Sequence, residues 1–192
     1  MAKLILLRHL QSQWNLENRF TGWTDIPLSK QGIESAKEVA GKLAGFEIDK
    51  VYTSPLIRNK ETVSLILENL GKEHLPIVID KALDERNYGK LQGLNKDQVK
   101  AKYGEEQVRL WRRSWEEAPP KGESLKDVFN RAVPFYKKHI EKDLKQGLNV
   151  LVVASHNSLR AIIKHIEKIS NQEIINLEIT TGELRKYDFA KI

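Results

Sequence analysis

The 192-residue sequence contains no cysteine, which excludes a disulfide framework, a thiolate zinc site, an iron–sulfur cluster and a cysteine nucleophile. That absence does not fix a compartment. Long apolar runs are missing too: Leu4–Leu7 and Val150–Ala154 fall far short of the ~20 consecutive residues that cross a bilayer. Met1-Ala2-Lys3-Leu4 leads directly to Arg8 and His9 with no small-residue cleavage signal, so a cytoplasmic protein with no membrane partner is expected. Nor is there a Gly-Lys-Ser/Thr phosphate loop, a Gly-x-Gly-x-x-Gly, a His-Glu-x-x-His or a Gly-x-Ser-x-Gly. Nucleotide-binding, zinc-protease and serine-hydrolase readings therefore lack their signatures.

What is present is charge. Lys and Arg number 32 against 26 acidic residues, a formal net charge of +6, which suits an anionic partner. Nucleic acid is one such partner. The lysines, however, are interleaved with glutamates along helical stretches (Glu34, Lys37, Glu38, Lys42; Lys137, Lys138, Glu141, Lys142), as on solvated helix faces.

No repeat or low-complexity tract divides the chain, and residues 1–192 are expected to form one domain. Apolar residues at 33, 36, 40 and 43, at 63, 66, 67 and 70, and at 125, 128, 129, 132, 133, 136 and 140 follow helical spacing. Ser29 and Ser124 are expected N-caps, the latter with Asp127 three residues on, and Pro134 should interrupt its helix. Short β-rich runs lie between: Leu4–Leu7, Val51–Thr53, Ile77–Ile79, Val150–Ala154 and Leu184–Phe189. The alternation predicts an α/β three-layer sandwich, a mostly parallel central sheet with helices on both faces.

Three of these strands end in similar chemistry: Arg8-His9, Ser54 with Arg58 beyond it, and Ser155-His156. In open α/β sheets ligands bind beyond the carboxyl ends of the strands, where helix N-termini offer N–H groups to anions. Two arginines and two histidines should converge there on a phosphate-like group. His74, His139 and His165 lack that setting and are read as ordinary packed or surface residues.

The segment Leu6-Leu7-Arg8-His9-Leu10-Gln11-Ser12-Gln13-Trp14-Asn15 resembles the histidine phosphatase superfamily. Arg19-Phe20-Thr21-Gly22-Trp23-Thr24-Asp25, Thr53-Ser54-Pro55-Leu56-Ile57-Arg58, Glu85-Arg86-Asn87-Tyr88-Gly89-Lys90-Leu91-Gln92-Gly93-Leu94-Asn95-Lys96, Tyr103-Gly104-Glu105-Glu106 and Trp111-Arg112-Arg113-Ser114 narrow the likeness. Together they resemble the 2,3-bisphosphoglycerate-dependent phosphoglycerate mutases, from Leu4 to about Tyr187.

That resemblance implies interconversion of 3-phosphoglycerate and 2-phosphoglycerate, primed by 2,3-bisphosphoglycerate and without a metal. His9 is implied as the phosphorylated nucleophile, with its second ring nitrogen held by the backbone. Arg8, Arg58 and His156 are implied to clamp the moving phosphoryl group, and Glu85 to be the general acid/base. Ser12, Asn15, Thr21, Gly22, Arg86, Tyr88, Lys96, Arg112, Arg113 and Asn157 make up the implied substrate contacts. A homodimer is implied by the resemblance alone, with small phosphoglycerates as the partners and neither nucleic acid nor membrane. Two alternatives stay open: a phosphomonoesterase of the same superfamily, and an impaired relative that only binds anions.

Three departures from the family pattern stand out. Leu10 and Gln11 replace the usual Gly-Glu, which adds bulk and removes a carboxylate beside the nucleophile. Ser155-His156 replaces the usual His-Gly, so that either His156 reaches the phosphoryl group or a serine takes that place. The chain also stops soon after Phe189, without most of the usual tail, and extra leakage of the phosphoryl group to water is expected.

Overall fold

The computed structural model of the chain describes residues 2–189. Among them five strands form one sheet in the order β3-β2-β4-β1-β5: β1 (Ala2–Arg8), β2 (Lys50–Thr53), β3 (Ile77–Ile79), β4 (Val150–Ala154) and β5 (Leu184–Phe189). Strands β1 to β4 run parallel, and β5 pairs antiparallel with β1. The helices are α1 (Gln13–Leu16), α2 (Lys30–Glu34), α3 (Ala36–Gly41), α4 (Ile57–Leu70), α5 (Lys96–Tyr103), α6 (Glu105–Arg113), α7 (Leu125–Phe135), α8 (Glu141–Lys145) and α9 (His156–Glu167).

The two-residue period of the strands sorts their side chains between two cores. Leu4, Leu6, Val150, Val152 and Ala154 pack with Tyr136, Ile140, Leu144, Leu159, Ile162 and Ile163 of the α7–α9 layer. Ile5, Leu7, Val51, Leu151 and Val153 face the other way, onto Val39, Ala40 and Leu43 around α3 and onto Val63, Ile66 and Leu67 of α4. Both faces of β1 and β4 are thus covered, which is why these strands read as unbroken apolar runs. The expected three-layer α/β sandwich is present. No helix among the described residues is long and apolar enough to cross a membrane.

The expected caps form. Ser29 Oγ accepts from Gly32 N–H, and Ser124 Oγ accepts from Asp127 N–H while the Asp127 carboxylate accepts from Ser124 N–H. Pro134 lacks the N–H that the turn before it needs, and the chain responds with a wider, π-type turn over Tyr136–Ile140 before α8 begins. The first predicted helix differs: it breaks at Ser35, whose hydroxyl donates to the Gly32 carbonyl at 2.7 Å. The break takes Ile33 out of phase with Ala36, Ala40 and Leu43, so Ile33 is exposed while those three are buried.

Glycine is required where two loops meet. Gly89 has φ +52°, and a Cβ there would lie 2.3 Å from the Pro120 carbonyl oxygen. This close approach lets Lys90 N–H donate to Pro120 O at 2.9 Å and seats the 85–91 loop against 119–123. Gly71, at φ +65°, faces open space. Gly71→Ala should therefore cost only the left-handed backbone penalty of about 1–2 kcal/mol. Gly89→Ala should cost clearly more, because backbone must move as well. Urea-denaturation midpoints of the two variants measure this, and equal midpoints would refute the seam.

Candidate active site

Strand register decides which residues meet. Arg8 pairs with Ala154 across β1 and β4, so His9 emerges beside Ser155 and His156, at the start of the buried helix α9. Thr53 pairs with Val153 in the next ladder, which brings Ser54 and the first turn of α4, with Arg58, to the same edge. Beyond these ends one cavity is lined by Arg8, His9, Asn15, Arg19, Phe20, Thr21, Gly22, Arg58, Glu85, Tyr88, Lys96, Arg112, Arg113, His156 and Glu178.

His9 is 2% exposed, and its Nδ1 lies 2.7 Å from the Leu10 carbonyl oxygen. A carbonyl can only accept, so Nδ1 carries the proton and Nε2 keeps its lone pair. Burial, then Arg58 and Arg8, push the His9 pKa well below 6.5. Leu10 does not crowd this group. Its side chain belongs to the core on the α3–α4 face, and its N–H donates to Thr62 Oγ1 at 3.1 Å. Gln11 is tied away, its side-chain carbonyl accepting from Ser29 Oγ at 2.9 Å.

The arginines here are held by neutral acceptors. Arg8 donates to Ile179 O at 2.6 Å; Arg58 donates to Gly22 O at 2.7 Å and Thr24 O at 3.1 Å. Burial lowers the pKa of both, that of Arg58 to about 10, yet both remain cations near neutrality. Their Nε groups and the Thr21 hydroxyl are buried without a protein partner. Buried donors of this kind are complementary to an oxyanion.

Glu85 is 7% exposed and accepts three hydrogen bonds on one oxygen, Oε1: from Arg86 N–H at 2.7 Å, Asn157 N–H at 3.1 Å and Asn157 Nδ2 at 2.9 Å. Burial pushes its pKa up, but His156, these N–H groups and Arg58 together bring it below the ordinary value. The backbone behind it is pinned as well, since Glu85 O accepts from Trp23 Nε1 at 2.6 Å and from Arg131 at 2.9 Å.

Helices α5 and α6 form the opposite wall. Trp111 turns inward onto Phe20, Tyr88, Leu91, Val99 and Val108, while Arg112 and Arg113 line the cavity. With its indole in that core, Trp111 offers no exposed ring for a nucleic-acid base to stack on. The last carbonyls of α6, which have no intrahelical partner, accept from buried guanidiniums. Arg86 donates to Arg112 O, and Arg160 to Arg113 O at 2.7 Å. Lys96, on the first turn of α5, has its pKa lowered to about 8 by burial and by Arg112.

Twelve of the fifteen residues expected at the site line the cavity. Ser12, Arg86 and Asn157 are not among the residues that line it, and their side chains brace ones that are. Ser12 caps α1 and fixes Asn15, Arg86 lies under Tyr88 with its guanidinium 5.0 Å from that ring's centre, and Asn157 holds Glu85. His156 does reach the cavity. Its Nε2 lies 3.2 Å from Arg113 Nη1 and 3.3 Å from Glu178 Oε1, whereas Ser155 Oγ accepts from Asn59 in the interior. Arg19, Phe20 and Glu178 were missed. Arg19 and Phe20 belong to the Arg19–Asp25 motif, but Glu178 sits on an irregular segment without periodicity or a recognisable motif.

Comparison with known proteins agrees with this arrangement. Residues 4–191 match the family profile described as histidine phosphatase superfamily (branch 1). A 2,3-bisphosphoglycerate-dependent phosphoglycerate mutase of Cytophaga hutchinsonii is 47% identical over 190 residues, covering 99% of this chain and 89% of that protein. One of Afipia carboxidovorans is 50% identical over 182 residues, covering 93% and 87%. Among solved structures, a mycobacterial glucosyl-3-phosphoglycerate phosphatase complexed with VO3 superposes with a TM-score of 0.86 at 25% identity, over 97% of this chain and 90% of its own. A profile that spans almost the whole chain, laid over a cavity where the Arg8-His9 strand end meets His156, makes this protein a member of the histidine phosphatase superfamily.

Proposed function

We infer that the chain is a 2,3-bisphosphoglycerate-dependent phosphoglycerate mutase that interconverts 3-phosphoglycerate and 2-phosphoglycerate. The observation that carries this reading is the neutral His9, its Nδ1 proton tied to a carbonyl, beside the buried Arg8 and Arg58, whose guanidiniums donate to carbonyl oxygens. Relatives 42–50% identical over nearly the whole chain bear the same activity in their names.

In the proposed cycle the His9 Nε2 lone pair attacks phosphorus of the bisphosphate donor, and the bond from phosphorus to the departing oxygen breaks. Arg8, Arg58 and His156 take up the charge on the phosphoryl oxygens. When the monophosphate's free hydroxyl attacks phosphohistidine, the Glu85 carboxylate takes its proton. When the second phosphoryl group returns to His9, Glu85 gives that proton to the leaving oxygen. Its low pKa suits the first half of this exchange, and the proton it then holds serves the second. Lys96, Tyr88, Arg112 and Arg113 are the proposed partners of the carboxylate and second phosphate, the arginines because a planar fork can engage either group bidentately. Cytoplasmic location and a homodimer are further proposals, supported by family resemblance.

Incubation with labelled 2,3-bisphosphoglycerate should give an acid-labile adduct that passes to 3-phosphoglycerate, and His9→Ala should give none. Transfer to water alone would identify a phosphatase, the acceptor then being water in place of the glycerate hydroxyl. No adduct on the unmodified protein, or an undiminished one on His9→Ala, sinks the mechanism.

The exchange at the end of β4 has its own check. His156→Ala should lower kcat/KM by about 10²-fold or more, as loss of a transition-state donor does. Ser155→Ala should act mainly on stability. The reverse pattern would move the role to Ser155.

The pH dependence follows from two lowered pKa values. Because neutral His9 is the nucleophile, the rate of adduct formation should stay level as pH falls through the ordinary histidine range near ~6.5. Lys96 must be protonated to bind an anion, and binding raises its pKa above the free value of about 8. The KM for 3-phosphoglycerate should therefore rise as pH passes upward through that value, and Lys96→Met should flatten the rise. A KM independent of pH across this range would refute the assignment.

A further inference from the structure

One carboxylate in the cavity has no part in this chemistry. Glu178 lies between the 3-10 turn Glu173–Asn176 and β5, and its side chain is 50% exposed, against 18% for Arg113, with which it is ion-paired through Nη2. Its other oxygen is 3.3 Å from His156 Nε2, the nitrogen that also lies 3.2 Å from Arg113 Nη1. Glu85 is different in kind, being buried and fixed by three N–H groups. Arg8 and Arg58 have no equivalent anion in contact, since their guanidiniums donate to carbonyl oxygens.

We propose that Glu178 is a tethered counter-anion of Arg113, displaced from it and from the neighbouring His156 ring when ligand enters, and that it sets how strongly the site favours a second anionic group. The proposal rests on reading this cavity as an anion site. A phosphoryl group seated at Arg8 and Arg58 has no carboxylate in contact with those guanidiniums to displace, and Glu85 and Glu178 act on it only from farther off. A second anionic group that reaches toward Arg113 must push the Glu178 carboxylate aside or lie next to it, and the repulsion grows with the ligand's charge. Half exposure gives Glu178 the freedom to swing into water, which a buried carboxylate would lack. Glu178 thereby weakens retention of the most highly charged ligands and favours their release.

Calorimetric titration with inorganic phosphate and with pyrophosphate, neither of which carries glycerate chemistry, tests this apart from the mutase reading. Glu178→Gln should bind pyrophosphate about fivefold more tightly, the factor for an ion pair worth ~1 kcal/mol. Its gain for inorganic phosphate should be smaller. In an Arg113→Gln background the same substitution should bring little further gain. A gain of affinity cannot come from misfolding, so a poorly folded variant would not imitate the expected result. Unchanged or weaker pyrophosphate binding overturns the proposal, as does an equal gain for both anions, which would mark a long-range field and not a displaced contact.

Discussion

Mutual repulsion among cations is the constraint on which this molecule is built. Arg8, Arg58, Lys96, Arg112 and Arg113 share one cavity, with Arg86 and Arg160 directly behind it. Collecting so many positive groups away from water is unfavourable unless each finds acceptors. The chain satisfies Arg8, Arg58, Arg86 and Arg160 largely with backbone carbonyls, from Gly22, Thr24, Arg112, Arg113, Ile174 and Ile179. Carbonyls meet part of the hydrogen-bonding need without cancelling charge, and the Nε groups of all four arginines stay unpaired. The positive potential is thus left for a ligand, and the loops that supply the carbonyls are tied into place by the same bonds.

The two carboxylates in the cavity divide along this line. Glu85 is immobilised by three N–H groups on one oxygen, with Arg131 gripping the carbonyls of Ala82, Asp84 and Glu85 beneath it. It can exchange a proton at a fixed position. The Glu178 carboxylate meets Arg113 and His156, which line the same cavity, and it is half exposed. Fixed and movable acids in one site can hold different tasks because packing, not chemistry, separates them.

Strands β1 and β4 and helices α4 and α7 were legible because burial on both faces leaves an unbroken apolar run and burial of one helical stripe leaves a period of 3.6. The convergence of Arg8, His9, Arg58 and His156 was legible for a related reason, since parallel strand ends share one edge. The break at Ser35 was not, because a hydroxyl that turns back to the Gly32 carbonyl changes no periodic position, and Ile33 still looks like part of the stripe. Neither was the difference between lining the cavity and bracing a residue that lines it. Arg86 and Asn157 lie beside cavity-lining residues in the chain, yet their own side chains are fully buried and do not line it. Glu178 left no signal because its position depends on the turn at 173–176 and on β5 pairing back onto β1.

The Leu10 position has one more consequence. Its carbonyl fixes the His9 ring, its N–H is bound by Thr62, and its side chain is embedded in the core formed by α3, α4 and the sheet. A loop residue that would ordinarily breathe independently is thereby tied into a buried core. Heating should then leave the nucleophile's proton in place until the core itself melts, so that loss of catalysis and cooperative unfolding would occur as a single event.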